Sequence, residues 1–425
     1  MIPQSTTHLI KLASVFFFLP LSQVMANESS KVTNQSKSLY HQPLHHIIVG
    51  GYASVITTLQ YDESTQKLSK IGVFNNSLVG TSPSWMEVSS DGKILHISNE
   101  VAEVDGQNNT GSISCYRIIK NTHSGSDSNS SISFEPINQA FTSSDPVAFD
   151  ISPDRKNMIV ASYTGATASR YELNEDQSFK YNKSVQAYSY NATGPNIARQ
   201  LQSYIHQARY DPTGRIATFT DLGGDRVYIH SVDNKTGELN PIDTIQLKAG
   251  TGPRHLTFFV VNETRTDVYL ICELSNELIY IQFNSISNPS FSTELKQILP
   301  TLPSTIYNQT TFGAGEVAIT NDGQFVYGTN RQTDFNKSKD DNSIVLFKRD
   351  KLTGLLSERP ILFPLSHTGF TPRHCSFSKD LHQRFLVVVG QQDHLVGIYE
   401  RDVLNGQIKF LDMISIDEPA YVEFL

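Results

Sequence analysis

The segment ARYDPTGRIATFTDLGG, residues 208–224, decides the reading of the whole chain. A short strand-like run ends at Tyr210, Asp211-Pro212-Thr213-Gly214 is a turn, and Ile216 to Thr220 is a second run of β-branched and aromatic residues. Two such runs around a turn of this kind form an antiparallel hairpin. The pattern recurs as MEVSSDGKILHISNE (86–100), FDISPDRKNMIVASYTG (149–165), VAITNDGQFVYGTNR (317–331) and CSFSKDLHQRFLVVVGQQ (375–392). A looser copy is LTFFVVNETRTDVYLICELSN (256–276). The aligned turn residues Asp91, Asp154, Thr213, Asp322 and Asp380 fall at a period near 57, the looser copy filling the gap after Thr213.

Two further strands follow in most copies, as in DRVYIHSVDNKTGELNPIDTI (225–245) with its turn at Asn234-Lys235-Thr236-Gly237. Four antiparallel strands per repeat of this length form one blade of a β-propeller. Six copies carry the inner hairpin. His46 to Leu68 and Ile414 to Leu425 remain, and together they make a seventh blade that closes the ring by pairing the two chain ends. The expected fold is therefore an all-β, seven-bladed propeller over residues 45–425. A closed ring has no free sheet edge, which points to a monomer.

Hydrophobic residues make up 38% of the 425, charged residues 18%, and the net charge is −8. That composition suits a folded protein and removes the electrostatic basis for nucleic-acid binding, while leaving room for a small anion in one local basic pocket. Residues 1–26 have the layout of a cleaved signal peptide: Lys11, an apolar run from Leu12 to Leu21, then Val24-Met25-Ala26. The apolar run is about half the roughly 20 residues a membrane span needs. Residues 27–44 form a polar, flexible arm, and Ser124 to Ser133 a Ser-rich loop. The chain holds eleven Asn-x-Ser/Thr sequons, at Asn27, Asn34, Asn75, Asn108, Asn129, Asn182, Asn191, Asn234, Asn262, Asn308 and Asn336. That is about twice the number composition alone would give, and it points to a secreted glycoprotein with no membrane attachment after cleavage. Without the first 26 residues, 399 remain, or 57 for each of seven blades. Cys115, Cys272 and Cys375 sit far apart inside apolar runs, which reads as buried free thiols rather than a disulfide framework or a zinc site. No metal and no cofactor is expected.

Hairpin geometry locates the chemistry. The start of a blade's innermost strand and the end of its second strand lie on the same face of the disc, at one mouth of the central channel. Counting seven residues back from each turn gives Ser84, Val147, His206, Gly315 and Arg373, followed by Trp85, Ala148, Gln207, Glu316 and His374. The looser copy supplies Gly252-Pro253-Arg254-His255, a twin of Thr371-Pro372-Arg373-His374. Second strands end at Asn99 and Glu100, Tyr163, Asp221, Glu273, Asn330 and Arg331, and Gln391. One mouth thus gathers Arg254, Arg331, Arg373, His206, His255, His374, Glu273 and Glu316. Arginines around one pocket suit a carboxylate or phosphate, and a His with a Glu beside them can exchange protons near neutral pH. Asp221 and Asn99 stand where turns use such residues to hold backbone, so a structural role is expected for both.

The segments Gly194-Pro195-Asn196 with Arg199-Gln200, Ile205-His206-Gln207, Asp221-Leu222-Gly223, Gly252-Pro253-Arg254-His255, Glu273-Leu274, Thr329-Asn330-Arg331 and Thr371-Pro372-Arg373-His374 resemble the seven-bladed propeller lactonase family. That family includes propeller-type 6-phosphogluconolactonases and the fungal carboxy-cis,cis-muconate cyclase. The likeness spans roughly residues 46–425 and is most specific over 194–276. It implies a lactone as substrate or product. The functional set of the cyclase branch maps by motif onto His206, Arg254, Glu273 and Arg331, which become the expected catalytic residues. Arg373, His255, His374, Glu316, Tyr163 and Gln391 are the expected substrate-binding residues. Where family members often carry His-Pro-His-Gln, this chain has Tyr204-Ile205-His206-Gln207, so the mouth differs in shape.

The resemblance implies that Arg254 and Arg331 hold an anionic group while His206 and Glu273 act as acid and base. The first reading is a secreted hydrolase of a small, anionic, sugar-derived lactone. Muconate cyclisation to a lactone and a non-catalytic binding propeller are the two alternatives.

Overall fold

The computed structural model describes residues 44–75, 78, 81–121, 131–285, 291–303, 311–333, 342–365 and 371–425. The expected signal peptide, nearly all of the polar arm and most of the Ser-rich loop lie outside these residues. Leu44, assigned to the arm from sequence, already belongs to the first strand, Leu44–Gly51.

Seven four-stranded antiparallel sheets form the seven blades. Six are built from consecutive strands running from the channel outward, over residues 83–143, 146–189, 205–246, 253–300, 312–364 and 372–415. The seventh takes its innermost strand, Pro419–Phe424, from the chain end and its other three, Leu44–Gly51, Val55–Asp62 and Lys67–Asn75, from the start. Ile47 pairs with Phe424 and Val49 with Val422, so the two ends close the ring. A small hairpin, Glu103–Val104 with Gln107–Asn108, interrupts the second blade-forming segment on the mouth side.

The inner hairpins share one local device. The Ser89, Ser152 and Ser378 hydroxyls and the Asp211 carboxylate each accept backbone N–H groups across the turn, and Asp91, Asp154 and Asp380 hold the serines. Gly92, Gly214 and Gly323 take the left-handed conformation the turn requires, with φ of 67°, 71° and 64°. Arg155 adopts the same conformation without a glycine, at φ 60°. Apolar faces of adjacent blades then pack together, as where Ile216, Val227 and Ile229 meet Leu256, Val268 and Leu270. Polar bonds also cross between blades: Thr220 Oγ1 donates to the Arg254 carbonyl at 2.6 Å, and Leu256 N–H donates to Gln207 Oε1 at 2.7 Å.

All three cysteines are buried and free, and burial pushes the Cys115 thiol up to about 12. Asn99 donates to the hydroxyls of Ser112 and Ser114. Asp221 accepts from Ser203 Oγ, Tyr204 N, Gly224 N and Tyr228 Oη. Asp221 therefore holds its turn, and Asn99 ties the end of its strand to the neighbouring one.

Candidate active site

Most inner strands begin with a β-bulge at the channel mouth. The register slips between Pro83 and Trp85, Pro146 and Ala148, Ile205 and Gln207, Pro253 and His255, and Pro372 and His374. A wider slip spans Ala314 to Val317. A bulge adds one residue without a cross-strand partner and re-aims its side chain. The bulged residues here are Ser84, Val147, His206, Arg254 and Arg373, and all five line one small depression at the mouth.

Glu273 is the centre of the arginine cluster. Its Oε2 lies 3.0 Å from Arg254 Nε and 3.0 Å from Arg331 Nη2, and its Oε1 lies 2.7 Å from Arg199 Nη2. Burial alone would raise this carboxyl, but Arg331, Arg199 and Arg254 together hold it well below the ordinary carboxylate range. Arg254 is buried, and burial followed by the neighbouring Arg331 pushes it down to about 9, so it is a cation at neutral pH. Its Nη1 donates to the Gly315 carbonyl at 2.9 Å. A Cβ on Gly315 would sit 2.5 Å from Thr329 Oγ1 and 3.0 Å from the Pro372 carbonyl, which explains a glycine at this bulge. Arg331 donates to the carbonyls of Gly313 and Ala314.

His206 stands beside this cluster, 7% exposed. Burial first, then Arg254 and His255, hold it well below its usual value, so the ring is neutral at pH 7. Its Nδ1 has no protein partner. Tyr163 packs edge-on against the ring at 5.5 Å and stacks on Tyr204 at 4.6 Å. Across the mouth, Arg373 donates to Gln391 Oε1 at 3.1 Å and to Tyr52 Oη at 2.8 Å. Tyr52 in turn donates to Glu100 Oε2 at 2.9 Å.

The structure divides the expected site residues between two levels. His206, Arg254, Glu273, Arg331, Arg373, Tyr163 and Gln391 belong to the mouth. His255 and His374 line the bottom of the mouth depression, and Glu316 lies beside them and lines the chamber below. His255 Nδ1 lies 2.9 Å from Glu316 Oε2, and His374 Nε2 lies 3.5 Å from the same oxygen. Trp85 closes the floor, with ring contacts to His255 at 5.4 Å and His374 at 5.3 Å. Below it a chamber of about 440 Å³ opens toward the other face, lined by Glu87, Asp150, Arg209, Glu316, His374 and Glu423 among others.

Three polar mouth residues fall outside the expected set. Arg199 reaches in from the loop before the strand Ile205–Tyr210, Tyr52 follows the strand Leu44–Gly51 of the closing blade, and Glu100 follows the strand Ile94–Asn99. Glu100 was counted at its strand end without being named a site residue, and Tyr52 occupies the matching position in the closing blade. Arg199 was visible only as part of the motif around Gly194. Among the described residues, no group of three or more His, Cys, Asp or Glu is arranged to hold a metal ion.

A family model described as the lactonase, 7-bladed beta-propeller family matches residues 46–424. The chain is 25% identical over 379 residues to the probable 6-phosphogluconolactonase of Arthroderma benhamiae, covering 88% of each. It is 25% identical over 344 residues to the 6-phosphogluconolactonase of Bacillus subtilis, covering 81% of this chain and 87% of that one. Among solved structures, the periplasmic gluconolactonase of Pseudomonas aeruginosa superposes with a TM-score of 0.74 at 24% identity, over 90% of this chain and 99% of that one. A putative 6-phosphogluconolactonase from Bacteroides fragilis gives 0.71 at 21% identity, over 92% and 100%. These two likenesses establish the shared fold.

Proposed function

We propose, from the premise that the chain belongs to the seven-bladed β-propeller lactonase family, that it hydrolyses a small anionic lactone at the arginine-lined mouth. The observation that carries this reading is the buried neutral His206 beside a cluster in which Arg199, Arg254 and Arg331 share one carboxylate, Glu273. Three guanidiniums on one carboxylate leave positive charge uncompensated, while Arg373 at the rim is paired with Glu100 at 3.9 Å. A carboxylate or phosphate on the substrate would balance it.

The proposed chemistry follows from which groups hold protons. Glu273 is committed to three arginines and is a poor base, so its role is to orient them. This departs from the acid–base role expected of it from sequence. His206 is neutral and lines the mouth depression, which suits a general base. It takes a proton from water as the oxygen attacks the ring carbonyl carbon. The guanidiniums stabilise the negative charge that develops on the carbonyl oxygen. The bond to the ring oxygen breaks, and the alkoxide recovers the proton from His206. The product acid then ionises, so each turnover releases one proton.

Curated relatives named 6-phosphogluconolactonase support a sugar-derived lactone. Export is part of the proposal. It rests on the signal-like residues 1–26 and on the six sequon asparagines within the described residues, Asn75, Asn108, Asn182, Asn191, Asn234 and Asn262, all exposed. Acid release from a panel of sugar and carboxylated lactones tests the activity. Incubation with carboxymuconate distinguishes a cyclase, and saturable binding without turnover a non-catalytic propeller.

A further inference from the structure

We propose that Arg199 selects an anionic lactone over a neutral one, and that Gln200 is its positioning residue, anchoring the loop that carries it. The inference rests on the hydrolytic reading above and deepens it, because it divides the arginines of the mouth by task. The side chains of Arg254 and Arg331 are only 2% and 9% accessible, and each is bonded to Glu273 and to backbone carbonyl oxygen. Arg373 is held by Gln391, Tyr52 and Glu100. Arg199 differs on both counts. Its side chain is 38% accessible, and only Nη2 is engaged, by Glu273 Oε1 at 2.7 Å and Tyr163 Oη at 3.4 Å. Its Nε and Nη1 have no partner among the described residues. The N–H groups on these two nitrogens of a permanent cation remain for a carboxylate or phosphate arriving from solvent. Tyr163 also packs edge-on against His206. One aromatic side chain thus separates the anion station from the base, the scale of a sugar lactone that carries its charge outside the ring.

Arg199 lies on an irregular loop between the strands Gln186–Ser189 and Ile205–Tyr210, so no strand period fixes it. Gln200, 1% exposed, supplies the anchor. Its Nε2 donates to the Leu222 carbonyl at 2.9 Å and to Asp225 Oδ1 at 2.8 Å, and its Oε1 accepts the Asn196 N–H at 3.1 Å. The Asn196 carbonyl in turn accepts the N–H groups of Arg199 and Gln200, which closes the turn that aims Arg199. A Cβ on Gly194 would sit 2.4 Å from the Gln200 side chain, so a glycine lets the loop close over it. Buried Asp225 carries the anchor across to the next blade. Its Oδ1 accepts the Gly252 N–H at 2.7 Å and its Oδ2 the Gly250 N–H at 2.8 Å. The Gly252 carbonyl accepts the Glu273 N–H at 2.8 Å. Gln200 therefore fixes Arg199 against the same stretch of backbone that leads into Arg254 and holds Glu273.

Gluconolactone and 6-phosphogluconolactone, the same ring without and with a charged group, test the selection. In Arg199→Gln the ratio of kcat/KM for the phosphorylated over the neutral lactone is expected to fall by about 10- to 100-fold, mainly through KM, as one charge-assisted contact is lost. Arg199→Lys should keep part of the ratio, because it keeps the charge without the planar fork. Gln200→Met, which keeps the volume and removes the anchoring bonds, should lower the ratio in the same direction. Combining it with Arg199→Gln should lower the ratio no further, since the two act in series. A wild type with no preference for the phosphorylated lactone overturns the selection, as does an Arg199→Gln variant that keeps the ratio or loses both activities equally. A wild-type ratio in Gln200→Met, or a loss that adds to that of Arg199→Gln, overturns the positioning. If Gln200→Met does not fold, Gln200→Glu, which when ionised cannot donate to Asp225, takes its place. A wild-type protein that opens neither lactone overturns the hydrolytic reading instead, which is a separate result. The selection is then read from inorganic phosphate by titration calorimetry: its Kd should rise by the same factor in Arg199→Gln, and no binding to wild type, or equal binding to both, overturns it.

Discussion

Replacing Glu273 by Gln removes the one carboxylate that Arg199, Arg254 and Arg331 share. Arg254 and Arg331 are buried, so their charge cannot turn to water; Arg254 keeps the Gly315 carbonyl and the His255 ring, and Arg331 keeps backbone carbonyls. Breaking a buried ion pair in this way costs about 3–5 kcal/mol. A folded region of about 380 residues has an unfolding entropy near 0.8 kcal/mol per degree, so the melting temperature should fall by about 4–6 °C. The exposed pair Arg117–Glu135, whose side chains are 50% and 58% accessible, provides the control. Glu135→Gln should shift the transition by about 1 °C or less. A dicarboxylate or phosphate ligand should raise the melting temperature of Glu273→Gln more than that of wild type, because the added anion replaces the lost charge. Acid titration gives a second readout. The folded-state value of Glu273 lies below its unfolded value near 4.5, so its stabilisation is complete above pH 4.5 and is lost as pH falls through the folded value. Differential scanning calorimetry of the three proteins from pH 3 to 8 measures all of this. A Glu273→Gln variant that melts with wild type, or above it, would refute the charge-sharing account of the cluster.

Other expectations follow from single residues. Burial holds His96, His230 and His374 at about 4, against 6.5 unfolded, so each stabilises fully above pH 6.5 and loses that contribution as pH falls toward 4. By pH 5 this amounts to about 2 kcal/mol per residue. His230→Phe should remove its share of the acid sensitivity, seen in urea titrations at pH 5 and 7.5, because both His230 nitrogens lack partners and the ring packs between Tyr188 and Phe219. Gly315→Ala should cost about 1–3 kcal/mol and displace the carbonyl that holds Arg254, lowering both melting temperature and turnover. The acid limb of kcat/KM should lie below pH 6.5, since His206 must be neutral to accept a proton.

The seven-bladed ring was legible in the sequence because each inner hairpin is made by a local device, an Asp or Ser that ties down its own turn. Counting back from those turns reached His206, Arg254 and Arg373 because a bulge recurs at a nearly constant distance from the turn in these blades. The count could not separate mouth from floor. The bulged residue turns up into the mouth, while Glu316, the residue after the one counted, lines only the chamber below. Tyr52 escaped because its blade is split between the chain ends and has no turn to count from. Arg199 escaped because it sits on a loop, where position follows tertiary contacts rather than strand period. The charge state of Glu273 was likewise out of reach, since it depends on three arginines that are distant in sequence.

The central claim is tested most directly by following acid release in a pH-stat from sugar and carboxylated lactones, with the purified protein and its Arg254→Ala and His206→Asn variants. Wild type is expected to release one proton per lactone opened, and folded His206→Asn to fall by about 10²–10⁴-fold, with Arg254→Ala losing activity alongside it. Acid release that survives unchanged in both folded variants, or none from wild type on any lactone, would contradict a hydrolytic site at this mouth.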